Sequence, residues 1–230
     1  MKRLLTALVF LAFLFTSACL PNFAREIAPS AVQAGSTPKP VEKILSSFNP
    51  IQGTSYLMAG IIPKPETREG SLNPFEWISN SSYSSGYTSF TYNYVFFNVD
   101  TETYIRLLPV NDYNISQTTG FPQPVYDPAN PEKPAPVIEF WVYGVVKADT
   151  SGDGFFDYRD KLTIAVSDVG GNGYTELIEN VDAILSQYYK DGVSLFIIYS
   201  SNDKNFIAKI NPSTRALLST TEMDLGGDVK

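Results

Sequence analysis

The chain has 230 residues, with 24 Asp and Glu against 17 Lys and Arg, a net charge of −7 and no histidine. Without an imidazole there is no Ser-His-Asp or Cys-His nucleophile machinery and no histidine-ligated zinc, copper or haem. The acidic balance, with no basic cluster to offset it, argues against nucleic acid and anionic membrane surfaces as partners.

The chain opens on Met1, Lys2 and Arg3, continues in an apolar run at 4–15, and passes through small residues to Cys19. A basic start, a short apolar core and small residues before a cut site predict a secretory signal over 1–18, too short for a stable membrane span. Cys19 is the single cysteine and stands where a bacterial lipobox places its lipid-bearing thiol, although Thr16 occupies a position where Leu is commoner. The plainer alternatives are an ordinary signal peptide or an uncleaved anchor. Lipidation at Cys19 predicts a bacterial cell-envelope protein held at the membrane by its anchor. Leu20, rather than an Asp, follows and favours the outer membrane over the inner. Loss of Lys2 and Arg3 with the signal takes the net charge from −7 to −9. Residues 19–50 are rich in Pro, Ala, Ser and Thr and have no period, which predicts a flexible tether.

A single domain is expected over 51–230. Short apolar runs alternate with turn signals, the pattern of an all-β fold of antiparallel sheets. Residues 87–99 read as a strand, 100–102 as a turn, and 103–110 as the returning strand. Six prolines between 121 and 136 predict an irregular excursion. Residues 137–148 and 161–168 are rich in β-branched and aromatic side chains and read as strands.

Between those two strands lies DTSGDGFFDYRD, residues 149–160, with the spacing of an EF-hand-type calcium loop. Oxygen donors fall at loop positions 1, 3, 5, 9 and 12, as Asp149, Ser151, Asp153, Asp157 and Asp160. Gly154 supplies the sharp turn at position 6, and Phe155 offers its backbone carbonyl at position 7. Phe156 at position 8 is an apolar side chain able to pin the loop to the fold. Calcium takes about six to eight oxygens, and without a cation each close carboxylate pair costs about 1–4 kcal/mol. Ser151, and Asp160 in place of the longer Glu, predict weak binding, with Kd roughly 10⁻⁴–10⁻³ M. The plainer reading is an acidic hairpin turn. Because strands flank the loop, the ion is expected to act as a structural staple and not as a switch.

Residues 175–192 carry apolar side chains at 177, 178, 181, 184, 185 and 188, which is helical spacing. Against a helix stand the flanking strands and the turn signal at 190–192. Residues 193–201, 205–210 and 215–223 read as further strands, with turns at 202–204 and 211–213.

One pattern occurs three times: an apolar strand, an Asp or Asn turn, and a polar strand ending in paired aliphatics. The copies are FFNVDTETYIRLLP (96–109), IAVSDVGGNGYTELIE (164–179) and IAKINPSTRALLST (207–220). These segments resemble the inner-strand, turn and outer-strand portions of TolB-like β-propeller repeats. The middle copy, with its acidic loop ahead, is similar to a group of uncharacterised bacterial lipoproteins built from such blades. The resemblance spans about residues 87–223. It implies that 181–189 is strand, and that the fold is an open or incomplete arrangement of about three blades, fewer than the roughly four to eight of a closed propeller.

No glycine-rich loop of phosphate-binding type follows a strand and opens a helix; the GGNG at 170–173 reads as a turn that sets backbone geometry. Glu139, Glu176, Glu179 and Asp182 are the carboxylates available to a glycosidase, which needs two across a cleft, or else they are solvated charges. Tyr83, Tyr87, Tyr92 and Tyr94 can stack on sugars or a protein partner, or pack against each other across strands. Two functions stand: a lipid-anchored, calcium-stapled binding or scaffold module for an envelope protein or glycan, or a carboxylate-based carbohydrate-active hydrolase.

Overall fold

The computed structural model describes residues 41–64, 90–124, 128, 134–190 and 192–226. All regular structure among them is antiparallel strand, arranged in three sheets. In the first, β1 (Lys43–Leu45), β3 (Tyr56–Pro63), β4 (Asn93–Asn98) and β5 (Thr103–Arg106) lie in that order, with β2 (Asn49–Pro50) also on β3. The second is a four-stranded meander of β6 (Asn114–Phe121), β7 (Phe140–Val146), β8 (Leu162–Asp168) and β9 (Thr175–Val181). The third repeats that meander with β10 (Ala183–Lys190), β11 (Ser194–Ser201), β12 (Lys204–Asn211) and β13 (Ala216–Glu222). The fold is all-β, an incomplete propeller-like stack of three blades. The three sequence repeats fall on β4–β5, β8–β9 and β12–β13, the last hairpin of each sheet.

The second sheet is the middle of the stack, and its sequence shows why. In β7, Phe140, Val142 and Val146 enter a core shared with the third sheet, where Leu195, Ile197, Ala208 and Ile210 meet them. The alternate residues, Tyr143 and Val145 with Trp141 beside them, enter a second core against Phe96, Leu107 and Leu108 of the first sheet region. A strand buried on both faces has no polar side to show, so β7 and β8 read as continuous apolar runs. The polar exceptions are paired: the Tyr143 hydroxyl and Ser167 Oγ lie 2.8 Å apart, and Trp141 Nε1 donates to the Val169 carbonyl at 2.9 Å.

One boundary differs from the sequence expectation. The first sheet begins at Lys43, ahead of the expected boundary at residue 51. Ser46 fixes this entry: its N–H donates to the Gly60 carbonyl at 2.8 Å and its Oγ accepts from the Gly60 N–H at 2.8 Å. A three-residue strand gives too little sequence for a period to show. Residues 175–190 are two strands, as the blade resemblance implies, and the helical spacing has a physical origin. Leu162 pairs with Val181 but Ile164 pairs with Ile178, so β9 takes three steps where β8 takes two. That bulge, with Asn180 at φ 59°, puts Ile178 and Val181 on the same core face. A second bulge between Ile184 and Ser186 shifts the phase again.

The GGNG turn after β8 is a contact between blades. Asp168 Oδ1 accepts from the N–H groups of Gly170 at 3.0 Å and Asn172 at 2.7 Å. The bare Cα atoms of Gly170 and Gly171 then lie against the rings of Tyr56 and Phe96.

Candidate functional site

The β7–β8 ladder closes at Val146 and Leu162, and the acidic loop caps this most buried hairpin of the molecule. Phe156 packs against the core shared by the second and third sheets, and its carbonyl accepts from Asn114 Nδ2 at 2.8 Å. The apolar residue at position 8 thus anchors the loop, while the Phe155 side chain points outward, 63% exposed.

Gly152 and Gly154 take positive φ, 76° and 88°, and wrap the backbone around Asp149. The Asp149 carboxylate accepts from the N–H groups of Gly152 at 2.6 Å, Asp153 at 3.2 Å and Gly154 at 2.7 Å, and from Ser151 Oγ at 3.2 Å. The N–H of Gly154, with those of Gly152 and Asp153 and the Ser151 hydroxyl, holds this carboxyl below its usual range. Asp160, 1% exposed, accepts from the N–H groups of Thr150 at 2.7 Å, Ser151 at 2.9 Å and Asp157 at 3.0 Å. Burial alone raises its pKa, and these hydrogen bonds outweigh it, so the net displacement is downward.

Asp153 and Asp157 are gathered by Arg159. The guanidinium donates to Asp157 through Nη2 at 2.6 Å and Nε at 3.1 Å, and forms an ion pair with Asp153 Oδ2. That oxygen is buried without an aligned hydrogen bond. Hydrogen bonding to Arg159 lowers the Asp157 pKa, and Arg159 is raised in return. Among the described residues no three carboxylates converge on one point: two face backbone N–H groups and two face Arg159. Asp149, Ser151, Asp153, Asp157, Asp160 and the Phe155 carbonyl form an all-oxygen donor set on one tight loop, the chemistry of a hard cation. They fit calcium on condition that Arg159 releases its two carboxylates. Arg159 and Thr150 are contact residues of the loop that ligand spacing misses; the signal for Arg159 is that it is the only cation within the acidic run.

The remaining carboxylates are engaged elsewhere. Glu139 accepts from the Tyr189 hydroxyl at 3.1 Å. Glu176 and Glu179 take Lys147 at 2.7 and 3.4 Å, and Asp182 takes Lys161 and the Asn202 N–H at 2.7 Å. Lys147 and Lys161 flank the acidic loop, so these pairs tie its two ends to the neighbouring strands. Of the tyrosine run, Tyr94 packs into the core between the first two sheets and Tyr92 lies under Lys43 Nζ at 4.5 Å. Tyr83, Tyr87 and Cys19 lie outside the described residues, as does part of the proline-rich segment 121–136.

No family model matches the chain, and no curated protein does. Among solved structures it is similar to the β-propeller domain of the trilobed protease from Pyrococcus furiosus, which has an open velcro topology. That match is 9% identical with TM-score 0.37, over 79% of this chain and 43% of that one. Luciferin-regenerating enzyme matches at 10% identity and TM-score 0.37, over 79% of this chain and 47% of that one. Pyrococcus horikoshii acylaminoacyl peptidase matches at 11% and 0.33, over 79% of this chain and 25% of that one. The chain thus spans less than half the length of each.

Proposed function

We propose that the protein is a TolB-like, lipid-anchored β module of the bacterial cell envelope, stapled by calcium and acting as a binding or scaffold protein without catalysis. The anchor is Cys19, more in keeping with the outer membrane than the inner, and the partner is an envelope protein or a glycan. The observation that carries this reading is the loop at 149–160. Its four carboxylates cap the central hairpin, and Phe156 joins it to the core. Calcium supplies divalent charge that neutralises this cluster. Asp149, Ser151, Asp153, Asp157 and Asp160 with the Phe155 carbonyl would hold it, and the loop then ties β7 to β8 at their free ends. No observation favours the hydrolase reading over this one, since Glu139 accepts from Tyr189, Glu176 and Glu179 share Lys147, and Asp182 takes Lys161.

The test is thermal unfolding of residues 20–230 in EDTA and in millimolar calcium. Ten millimolar calcium is about ten to a hundred times the expected Kd and stabilises the wild type by about 1.4–2.7 kcal/mol, and Asp153→Ala abolishes the response. A melt indifferent to calcium sinks the staple.

Arg159 gives this reading a second handle. Its guanidinium competes for Asp153 and Asp157, so Arg159→Gln should tighten calcium by about tenfold, the scale of one charge-assisted contact no longer displaced. The same change should lower stability in EDTA, because two carboxylates lose their counter-charge. Calcium titration by calorimetry reads the first effect and the melt reads the second.

A further inference from the structure

Asn114, the first residue of β6, is 2% exposed. It reaches the acidic loop from outside, 42 residues ahead of its partner Phe156. Its Nδ2 donates to the Phe156 carbonyl at 2.8 Å. The N–H of that same peptide unit belongs to Asp157 and donates to Asp160 Oδ2 at 3.0 Å. One peptide plane is therefore held at both ends, its carbonyl by β6 and its N–H by the carboxylate at loop position 12. A chain of hydrogen bonds aligned in this way strengthens its own members, and this one ends on a charge. The peptide joins loop positions 8 and 9, directly after the Phe155 carbonyl and directly before the Asp157 side chain.

Packing does not call for an asparagine here. Its Oδ1 is buried and accepts no hydrogen bond from the protein, a state that costs stability. Leucine is close in shape and brings no polar atom to satisfy. What asparagine has and leucine lacks is the donor aimed at the loop. Phe156 already fixes the loop by its side chain, which packs on the core of the second and third sheets. Asn114 adds a fixed orientation for the backbone on which two of the cation donors stand.

We propose that Asn114 is a positioning residue for the cation, holding from β6 the peptide that sets the Phe155 carbonyl, Asp157 and Asp160 in place before metal binds. This inference rests on the calcium reading of the loop. Groups that orient metal ligands without touching the metal change its affinity by about tenfold to a hundredfold when removed.

Calorimetric titration of residues 20–230 with calcium tests it, beside melts in EDTA. This piece contains every described strand, and residues 41–230 form one compact unit. Asn114→Leu should weaken calcium by about tenfold or more. It exchanges one unpartnered buried acceptor, Oδ1, for another, the Phe156 carbonyl, so its melt in EDTA should stay near that of the wild type. Asn114→Ala, which leucine's bulk cannot confound, should weaken calcium equally. Gly171→Ala perturbs the contact with Phe96 of the first sheet and should leave calcium affinity unchanged. Wild-type affinity in both Asn114 variants overturns the proposal and leaves the staple standing. Equal weakening in Gly171→Ala also overturns it, because affinity would then follow stability and not the held peptide. Loss of the fold in both Asn114 variants, read by far-UV circular dichroism, makes Asn114 a residue of the core alone. A wild type that takes up no calcium overturns the calcium reading and this inference with it.

Discussion

Gly171→Ala is expected to lower the unfolding free energy by about 2–4 kcal/mol, while Gly152→Ala lowers it by only about 1 kcal/mol. Both glycines have positive φ, 81° and 76°, so both variants bear the similar cost of placing a Cβ in the left-handed region. They differ in what the new methyl meets. At Gly152 nothing lies within 4 Å, whereas at Gly171 the Cβ falls 2.4 Å from Phe96 Cδ2. Phe96 is 1% exposed and wedged among Met58, Tyr94 and Ile105, so its ring cannot retreat without moving the first sheet. Overpacking of this kind costs about 1–3 kcal/mol beyond the backbone term. Urea denaturation of both variants at one pH isolates the difference. Equal losses would mean that the close approach between the two blades contributes nothing.

That glycine illustrates what the sequence hides. The strands were legible because β7 and β8 are continuous runs of Val, Ile, Leu and aromatics, and the turns because Asp, Asn and Gly punctuate them. The three repeats also pointed to one blade hairpin per sheet. Packing between sheets was less legible, since GGNG reads as a turn whether or not Tyr56 and Phe96 lie on it. The spacing of 178, 181 and 184 imitates a helix because bulges insert single residues, and a period cannot report a bulge. The opening strand at Lys43–Leu45 is fixed by Ser46 and Gly60, a pairing across more than a dozen residues that no local pattern announces.

At the site, donor spacing located the loop and Phe156 its anchor. Spacing says which oxygens are available but not where they point without a cation. Two features decide that. Consecutive N–H groups of a tight turn all face Asp149 and Asp160, and Arg159 reaches back to Asp153 and Asp157. The loop is therefore ordered by its own groups as well as by any metal, and the two contributions separate by experiment.

Asp160→Ala is expected to cost about 2–4 kcal/mol even in EDTA, because it strands the buried N–H of Asp157 at about 1–3 kcal/mol and leaves the part-buried N–H groups of Thr150 and Ser151 to water. Asp160→Asn should cost less, since Oδ1 still accepts from Thr150 and Ser151 and only the Asp157 N–H faces a donor. The pH dependence follows from the sign of the pKa displacement. The folded Asp160 carboxyl is held below its unfolded value, which is about 3.9. Its charge therefore stabilises the fold fully above about pH 4, and that contribution disappears as pH falls through the lower folded value. Asn cannot titrate, so the stability gap between wild type and Asp160→Asn should narrow as pH falls below about 4. Denaturant melts of the two proteins from pH 7 to pH 3, in EDTA, read that gap. A gap independent of pH would mean that the shape of the side chain, and not its charge, holds the loop. Repeating the series in millimolar calcium adds the metal alone. Both variants lack the carboxylate at loop position 12, so the calcium increment seen in the wild type should vanish from each while the metal-free order of stabilities stays the same.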